Sequence, residues 1–462
     1  MTMRRYEMGW RMTAAAMVFL CGFYGVVCGA GQNELMAVLK SDAPLFEKAR
    51  ACEQLSIVGG DDAVAPLAAL LGDEQLGDYA RFALEPMGGA KVDAAFRAAL
   101  GKLNGRLLAG VINSIATRGD VEAVPALTEI ARDAGSDVRA AAIAALGRIA
   151  TDDAVRTIDG MLKDKSAQVR LVAADACLVA AGRLAERRRS RDATKLYDAV
   201  GKADVPAHVQ AAGVYGAIMA GGAEAVNLLI AQLDSGDPVR VKVALRAARQ
   251  LQDDGVTEKL AEFLERAKPG LQALMIGALA DRGDAGAYAS IKTLAASANA
   301  AVRLEAIGVL GDIGDVSAVP VLAPLIGGQG AEAQAAAAAL RTLDGERVDD
   351  AIVEALKTTQ GDELAVLIEI LTSRAAKEAR PALLEAARSA DEDVAVAAFK
   401  GLTVLVDGAD TPTLVELLVG LENEAARRYA ENAVVAAAGR IADEAAQADA
   451  VLEKLTSKQR AT

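Results

Sequence analysis

Hydrophobic residues return at helical spacing along nearly the whole chain, in segments that come in pairs. One first segment places apolar side chains on one helix face at Val302, Ala306, Ile307, Leu310 and Ile313. First segments end at Gly-Asp, where glycine is expected to close the helix in the left-handed conformation and aspartate to cap the next one: Gly119-Asp120, Gly283-Asp284 and Gly314-Asp315. Second segments carry proline where a helix tolerates it, in the first turn, at Pro66, Pro125, Pro320 and Pro381. The pattern therefore predicts pairs of helices.

These helix pairs repeat along the chain. Residues 137–149 and 301–313 share a Val-Arg start, an alanine four residues after the valine, and a Leu-Gly pair. Most steps between equivalent positions are 30 to 32 residues, and the exception is the step of 40 from Arg170 to Gln210. One helix pair cannot cover its own apolar stripe, whereas stacked neighbours make a continuous core. We therefore predict about thirteen stacked antiparallel helix pairs, in a single domain over residues 31–462.

The period, the Val-Arg start, the Leu-Gly pair and the Gly-Asp end together resemble HEAT repeats, in particular the short bacterial variety first named from phycobilisome lyases. The resemblance covers nearly all of residues 34–457. It implies an all-α, right-handed α-solenoid of the HEAT or armadillo type, whose second helices line the concave face where partners usually sit. It is specific for fold and not for function, because architecture defines the family.

The composition agrees with an all-α fold. Hydrophobic residues make up 53% of the chain but aromatic residues only 3%. A core filled by Ala, Leu, Val and Ile suits helices that approach one another closely. Strand-like runs with a period of two are missing outside the N-terminus.

Residues 1–30 are predicted to be an export signal and not part of the fold. Arg4, Arg5 and Arg11 precede an apolar run of about 14 residues, from Ala14 to Val27, which ends in small residues at Gly29-Ala30. That run is short for a membrane span, which needs about 20 residues. We expect a cleaved signal and a periplasmic or secreted protein without a membrane span. An uncleaved N-terminal anchor is the alternative.

Charge and residue types argue against several functions. The formal net charge of −13 disfavours nucleic acid as a partner, because phosphate binding needs a basic surface. The single histidine, His208, starts a first helix and is expected to be a solvated cap residue. There is no Gly-x-Ser-x-Gly motif, no zinc-ligand spacing, no phosphate loop, and none of the His-Glu pairs of iron-binding HEAT proteins. We therefore predict no enzymatic activity, no cofactor and no metal.

Two further features that suggest special chemistry are explained by the repeat. Cys52 and Cys177 take inward positions in the first and fifth units, which are about 40 Å apart if layers stack at about 10 Å. That separation excludes a disulfide between them. Both cysteines are therefore expected to act as small buried hydrophobic residues. The Arg-Gly-Asp triplets at 118–120 and 282–284 fall at the Gly-Asp turn. Turn geometry explains their glycine and aspartate without an adhesion role.

The long fifth unit contains the densest basic cluster of an acidic chain. Its insertion, at about residues 183–192, contains Arg183, Arg187, Arg188, Arg189 and Arg191, with Glu186 among them. Two interpretations stay open: a helical extension with a solvated face, or a docking site for an acidic segment or an anion.

The sequence therefore favours a non-catalytic, exported scaffold that binds a protein or peptide partner along its concave face. The terminal units carry polar outer residues, so a monomer is expected. The alternatives are an enzyme or enzyme subunit, lyase-like by family analogy, and a membrane-tethered structural protein of the envelope.

Overall fold

The structure is a computed structural model that describes residues 31–252, 255–283, 285–452 and 454. Every regular element in these ranges is a helix and none is a strand, which confirms the all-α prediction. The predicted export signal, residues 1–30, lies outside the described residues.

The chain divides into two compact units, Met1–Gly216 and Ala217–Thr462. In the first unit a lead helix, Gln32–Lys40, precedes alternating first and second helices. The first helices are Leu45–Val58, Gly77–Leu84, Gly105–Arg118, Arg139–Ile149 and Ala167–Glu186. The second helices are Asp61–Ala68, Ala90–Leu100, Val124–Arg132, Asp152–Met161 and Ser190–Lys202. The division between the units falls inside the next first helix, Ala207–Met219.

The second unit continues the same alternation. Its first helices are Pro238–Gln250, Pro269–Ala280, Ala300–Ile313, Ala331–Thr342, Gly361–Ser373, Glu392–Leu405 and Glu424–Ala438. Its second helices are Ala225–Leu233, Val256–Arg266, Tyr288–Leu294, Val319–Leu322, Val348–Leu356, Arg380–Ala386, Thr411–Gly420 and Glu444–Leu452. Along the described chain, thirteen first helices are each followed by a second helix, which confirms the predicted repeat. The expectation of one uninterrupted domain stays a prediction.

Within each unit, first helices pack against the first helices of neighbouring pairs. The glycine of the Leu-Gly pair lies at this contact. A Cβ added to Gly147 would stand 2.6 Å from the carbonyl oxygen of Ala176, and one added to Gly311 would stand 2.7 Å from the Cα of Ala339. The recurring Leu-Gly pair therefore reflects close helix approach, which only a residue without a side chain permits.

The Gly-Asp turns are confirmed in part. Gly119 (φ 69°) and Gly283 (φ 65°) have the expected left-handed conformation, and the Asp120 and Asp315 side chains accept hydrogen bonds from backbone N–H groups two residues on. The expectation was wrong for Gly314, which is extended (φ −80°, ψ 172°). A Cβ there would stand 2.3 Å from the carbonyl oxygen of Leu310, so contact and not a positive φ requires glycine.

Prolines near the start of second helices are also confirmed in part. Pro125, Pro320 and Pro381 lie in the first turn of their helices. Pro66 is instead the sixth residue of its helix, Asp61–Ala68. In other pairs a separate 3₁₀ segment, such as Val121–Ala123, precedes the second helix, whereas in the first pair that turn is part of the helix itself.

The core consists mainly of small and aliphatic side chains. Phe96 and Phe399 are the largest fully buried side chains. Cys52 and Cys177 are free thiols with no exposed surface, which confirms their inward positions. Burial raises the pKa of Cys52 to about 11, and burial followed by the negative charge of Asp159 raises the pKa of Cys177 well above its ordinary value. Both thiols are therefore protonated near neutral pH.

Candidate partner-binding surfaces

The insertion of the fifth pair lengthens its first helix. Ala167–Glu186 has 20 residues, whereas Gly77–Leu84 has 8 and Glu424–Ala438 has 15. A turn at residues 187–189 joins it to Ser190–Lys202. The five predicted binding arginines therefore lie in the last turn of one helix, the connecting turn and the start of the next helix.

Arg187 is used inside the fold. Its Nη1 donates to the carbonyl oxygen of Ala150 at 3.0 Å, and its Nη2 donates to that of Ile149 at 3.3 Å. These carbonyls lie where the preceding first helix ends and have no partner within that helix. Arg187 therefore caps the neighbouring pair.

Arg189 also has internal partners. Its Nη1 lies 2.8 Å from a carboxylate oxygen of Asp152, and its Nη2 lies 2.7 Å from one of Asp192. The hydrogen bonds to Asp152 and then Asp192 raise the pKa of Arg189 above its ordinary value. Two nearby carboxylates thus offset the charge of this arginine.

The other three arginines of the cluster are exposed: Arg183, Arg188 and Arg191. Within the described part of the chain, none of them has a side-chain hydrogen bond or an ion pair. Arg188 is left-handed, with φ 59°, a conformation that Gly119 takes in another pair. The backbone N–H of Arg188 bonds to the carbonyl of Ala185, and that of Arg189 to the carbonyl of Leu184. This Schellman end usually has glycine at the left-handed position.

A capping arginine recurs in other pairs, a role that the sequence analysis missed. Arg118 donates from Nη1 to the carbonyl oxygens of Glu85 (2.8 Å) and Met87 (2.5 Å), and from Nε to Asp93 (2.6 Å). Arg282 and Arg374 reach back in the same way. Each arginine directly precedes a residue with positive φ: Gly119, Arg188, Gly283 and Ala375. Aligning the repeats on that turn is the signal that would have found it.

The capping arginine also explains the Arg-Gly-Asp triplet at 118–120, whereas Asp284 of the second triplet lies outside the described residues. The side chain of Arg118 is only 12% exposed. The Asp120 carboxylate accepts a hydrogen bond from Arg97 at 2.6 Å and one from the N–H of Glu122 at 3.1 Å. All three residues of this triplet therefore serve the junction between pairs.

Grooves run between consecutive second helices. One groove in the second unit, about 930 Å³, lies between the segments 319–325 and 348–356. Its walls are small and apolar: Val319, Pro320, Ala323, Pro324, Ala351 and Ala355. Its rim carries charges from Arg347, Asp350, Glu354 and Glu363. Arg347 lies 4.0 Å from Asp350, and Glu354 lies 2.5 Å from Lys357.

Glycine shapes one end of this groove. The Glu363 carboxylate occupies the space that a side chain on Gly327 would need, because a Cβ there would stand 1.7 Å from its Oε1. The Gly-rich linker at 327–330 thus lets Glu363 reach the rim.

A smaller groove in the first unit, about 500 Å³, lies between Val124–Arg132 and Asp152–Met161. Ion pairs on its rim join Arg132 with Glu129 (3.7 Å) and Arg156 with Asp153 (2.7 Å).

His208 is exposed in the first turn of Ala207–Met219. Among residues that the structure describes, no three His, Cys, Asp or Glu side chains are grouped so that they could hold a metal ion.

None of the described helices is by itself long and apolar enough to cross a membrane. The consecutive segments Ala207–Met219 and Gly222–Leu233 meet the length and composition requirements only when joined across a sharp bend.

Comparisons with known proteins bear on the fold. A family model described as HEAT repeats matches residues 94–177 and 257–341. No curated protein matches the sequence. A solved structure of Kap95p, from work on RanGDP switch loops, is 15% identical with a TM-score of 0.38, over 94% of this chain and 68% of that one.

Two other solved structures show similarly low likeness. Kap121p bound to Ste12p is 13% identical with a TM-score of 0.49, over 90% of this chain and 53% of that one. Human deoxyhypusine hydroxylase in complex with glycerol is 21% identical with a TM-score of 0.26, over 55% of this chain and 96% of that one. These values carry no conclusion about activity or partners.

In this fold the first helix of each pair packs against the first helices of neighbouring pairs, and arginine side chains cap the junctions between pairs. This architecture defines an α-solenoid repeat protein. The matched segments lie in both compact units, and their Leu-Gly and Gly-Asp positions have the geometry described above. The two segments at residues 94–177 and 257–341 match HEAT repeats, and the helix pairs beside them have the same alternation of first and second helices.

Proposed function

We propose that this protein is a non-catalytic scaffold that holds a protein or peptide partner along its second helices, outside the cytoplasm. The observation that carries the proposal is the groove between segments 319–325 and 348–356. Its small apolar walls leave room for a partner's side chains, and its charged rim can fix their orientation.

The geometry favours a polypeptide over a small molecule. The groove is an open channel between helices, and a similar channel lies between second helices of the first unit. A small-molecule site usually buries most of its ligand in an enclosed cavity. An extended segment can instead use several shallow grooves, each adding a modest contact.

Site-specific photo-crosslinking in the native cells tests this proposal. A photoreactive residue in place of Ala355, which lines the groove, is expected to capture a partner. The matched control replaces Ala338, which is exposed on the first helix Ala331–Thr342. Capture only from position 338, or the same products from both positions, would contradict binding along the second helices.

Export rests on the N-terminal sequence, where a basic segment precedes an apolar run and small residues. We expect the mature protein to begin after Ala30 and to fractionate with the periplasm or medium. N-terminal sequencing of the native protein checks this. An intact Met1 in the cytosolic fraction would rule the export proposal out without affecting the groove.

A membrane-tethered protein is the second candidate. Large apolar side chains are exposed in the first two helix pairs, which follow the N-terminal apolar run and the lead helix: Leu45, Phe46, Ile57, Val58, Tyr79 and Phe82. Aromatic side chains suit the bilayer interface. Retention in the membrane fraction after a salt wash would favour this candidate, and full release would exclude it.

A further inference from the structure

The turn after the long fifth first helix has a charge opposite to that of the whole chain. Residues 183–191 contain five arginines and one acidic residue, Glu186, in a protein with net charge −13. The insertion that carries them occurs in this pair alone among the sequence repeats. Any of these arginines that lacks an internal partner therefore calls for a cause outside the packing of the repeat.

The fold accounts for two of the five arginines. Arg187 caps the carbonyls of Ile149 and Ala150, and Arg189 pairs with Asp152 and Asp192. The equivalent of Arg187 appears in other pairs, as at Arg118. Internal structure does not account for Arg183, Arg188 or Arg191, which are exposed.

The backbone at Arg188 strengthens this distinction. Its φ of 59° is one that side chains other than glycine adopt at a cost, and the corresponding left-handed position holds Gly119, Gly283 and Ala375 in other pairs, none of which has a long side chain. Arginine at this position gains no internal contact in the described structure. Strained positions of this kind concentrate where a side chain serves binding.

We propose that Arg183, Arg188 and Arg191 bind an acidic polypeptide segment of the partner. The proposal rests on the proposed scaffold function and deepens it, because it gives one partner segment a chemistry. Guanidinium groups form paired hydrogen bonds with carboxylates, and three of them around one turn match a short run of Asp and Glu.

A short acidic segment fits this surface better than an extended polyanion. Carboxylates adjoin the basic patch, because Asp152 and Asp192 pair with Arg189 and Glu186 directly precedes Arg187 in the chain. A nucleic acid or an anionic bilayer would bring its charge against these groups and against the acidic remainder of the protein. A peptide of a few residues contacts only the patch.

The test is a titration of fluorescein-labelled decaglutamate with the full-length protein, followed by fluorescence anisotropy at about 0.05 M and about 0.5 M salt. Saturable binding that weakens at high salt is expected. The triple variant R183Q/R188Q/R191Q is expected to bind about tenfold more weakly or worse, because three charge-assisted contacts are removed. Circular dichroism and the urea midpoint establish that the variant is folded.

The matched control is R50Q/R148Q/R428Q, which changes the net charge equally at three exposed arginines elsewhere. Its affinity is expected to stay within about twofold of the unaltered protein. Equal weakening of both triple variants would overturn the proposal, because it would reduce the effect to net charge. Absence of binding, or tighter binding to single-stranded DNA or to phosphatidylserine vesicles than to decaglutamate, would also overturn it.

A single substitution separates binding from folding. Arg188→Gly removes one of the proposed contacts with the peptide but relieves the strain of the left-handed backbone. The urea midpoint is therefore expected to rise while the affinity for decaglutamate falls. A variant with unchanged affinity would contradict the role of Arg188. Crosslinking through position 355 does not involve these arginines. If crosslinking from position 355 persists while decaglutamate binding is absent, only the inference about the arginines is refuted. If decaglutamate binding is intact while crosslinking from position 355 is absent, only the proposal of groove binding is refuted.

Discussion

Gly311 lies so close to Ala339 in the next first helix that a Cβ on the glycine would stand 2.7 Å from the Cα of Ala339 and 2.5 Å from Oγ1 of Thr342. Gly308, in the same helix Ala300–Ile313, has no such neighbour within 4 Å of its added Cβ. One helix therefore contains one glycine required by packing and one that is not.

Alanine at these two positions is expected to change stability in opposite directions. Gly311→Ala forces the helices apart and should lower the free energy of unfolding by about 1–3 kcal/mol. Gly308→Ala should raise it by about 0.5–1 kcal/mol, because alanine favours the helix. Urea unfolding followed by circular dichroism measures both. Equal effects of the two substitutions would refute the close approach at Gly311.

The capping arginine is the second target. Arg374 is 12% exposed and donates from Nη1 to the carbonyl of Leu343 at 2.7 Å and from Nε to Asp349 at 2.5 Å. Arg374→Ala leaves the Leu343 carbonyl and the partly exposed Asp349 carboxylate without this donor and should cost about 1–3 kcal/mol. Urea unfolding of the purified variant checks this expectation.

Two comparisons make the capping prediction specific. Arg341→Ala removes an exposed arginine that has no side-chain partner in the described structure and should stay within about 0.5 kcal/mol of the unaltered protein. Arg374→Lys keeps the charge but loses the forked geometry, so it should fall between the two. A lysine variant as stable as the arginine protein would show that charge alone suffices.

The repeat and its helix pairs could be predicted from sequence because they follow from apolar spacing and turn residues. Val302 and Leu310 are buried where the pattern placed them. The geometry of Gly314 could not be predicted, because glycine serves both left-handed turns and close contacts, and only three-dimensional neighbours distinguish the two.

For the arginine cluster, the sequence could predict which residues lie together in the chain but not which of them have partners within the fold. Sequence placed five arginines together, but whether Arg187 faces solvent or the carbonyls of the preceding pair depends on contacts 37 and 38 residues away. The charged rim of the groove is also assembled from distant residues, such as Asp350 and Glu363, which line the same groove as Pro320. Spacing within one repeat does not contain that information.

The buried cysteines are expected to be unreactive in the folded protein. Burial raises the pKa of Cys52 to about 11 and that of Cys177 well above its ordinary value, so little thiolate exists at pH 7.5. Iodoacetamide should modify these two residues only after urea unfolding. Mass spectrometry of the separate Cys52 and Cys177 peptides measures this, and rapid modification of either in the native protein would contradict its burial.

Stability at low pH is expected to depend on Asp164. The N–H of Ser166 and then the Arg139 guanidinium, whose Nη2 lies 2.8 Å from the carboxylate, lower the pKa of Asp164 below its ordinary value. A carboxyl whose pKa is lower in the folded protein stabilises the fold above its unfolded pKa of about 3.9. That contribution disappears as the pH falls from there through the lower folded pKa.

Asp164→Asn should therefore unfold at lower urea than the unaltered protein at pH 7 and pH 5, with the difference shrinking below about pH 4. Asparagine keeps an acceptor for Ser166, so the loss reports mainly the charge opposite Arg139. Asp312→Asn, at an exposed position in Ala300–Ile313, serves as the control and should show no comparable pH-dependent gap. A gap for Asp164→Asn that stays constant from pH 7 to pH 3 would mean that ionisation of Asp164 does not contribute to stability.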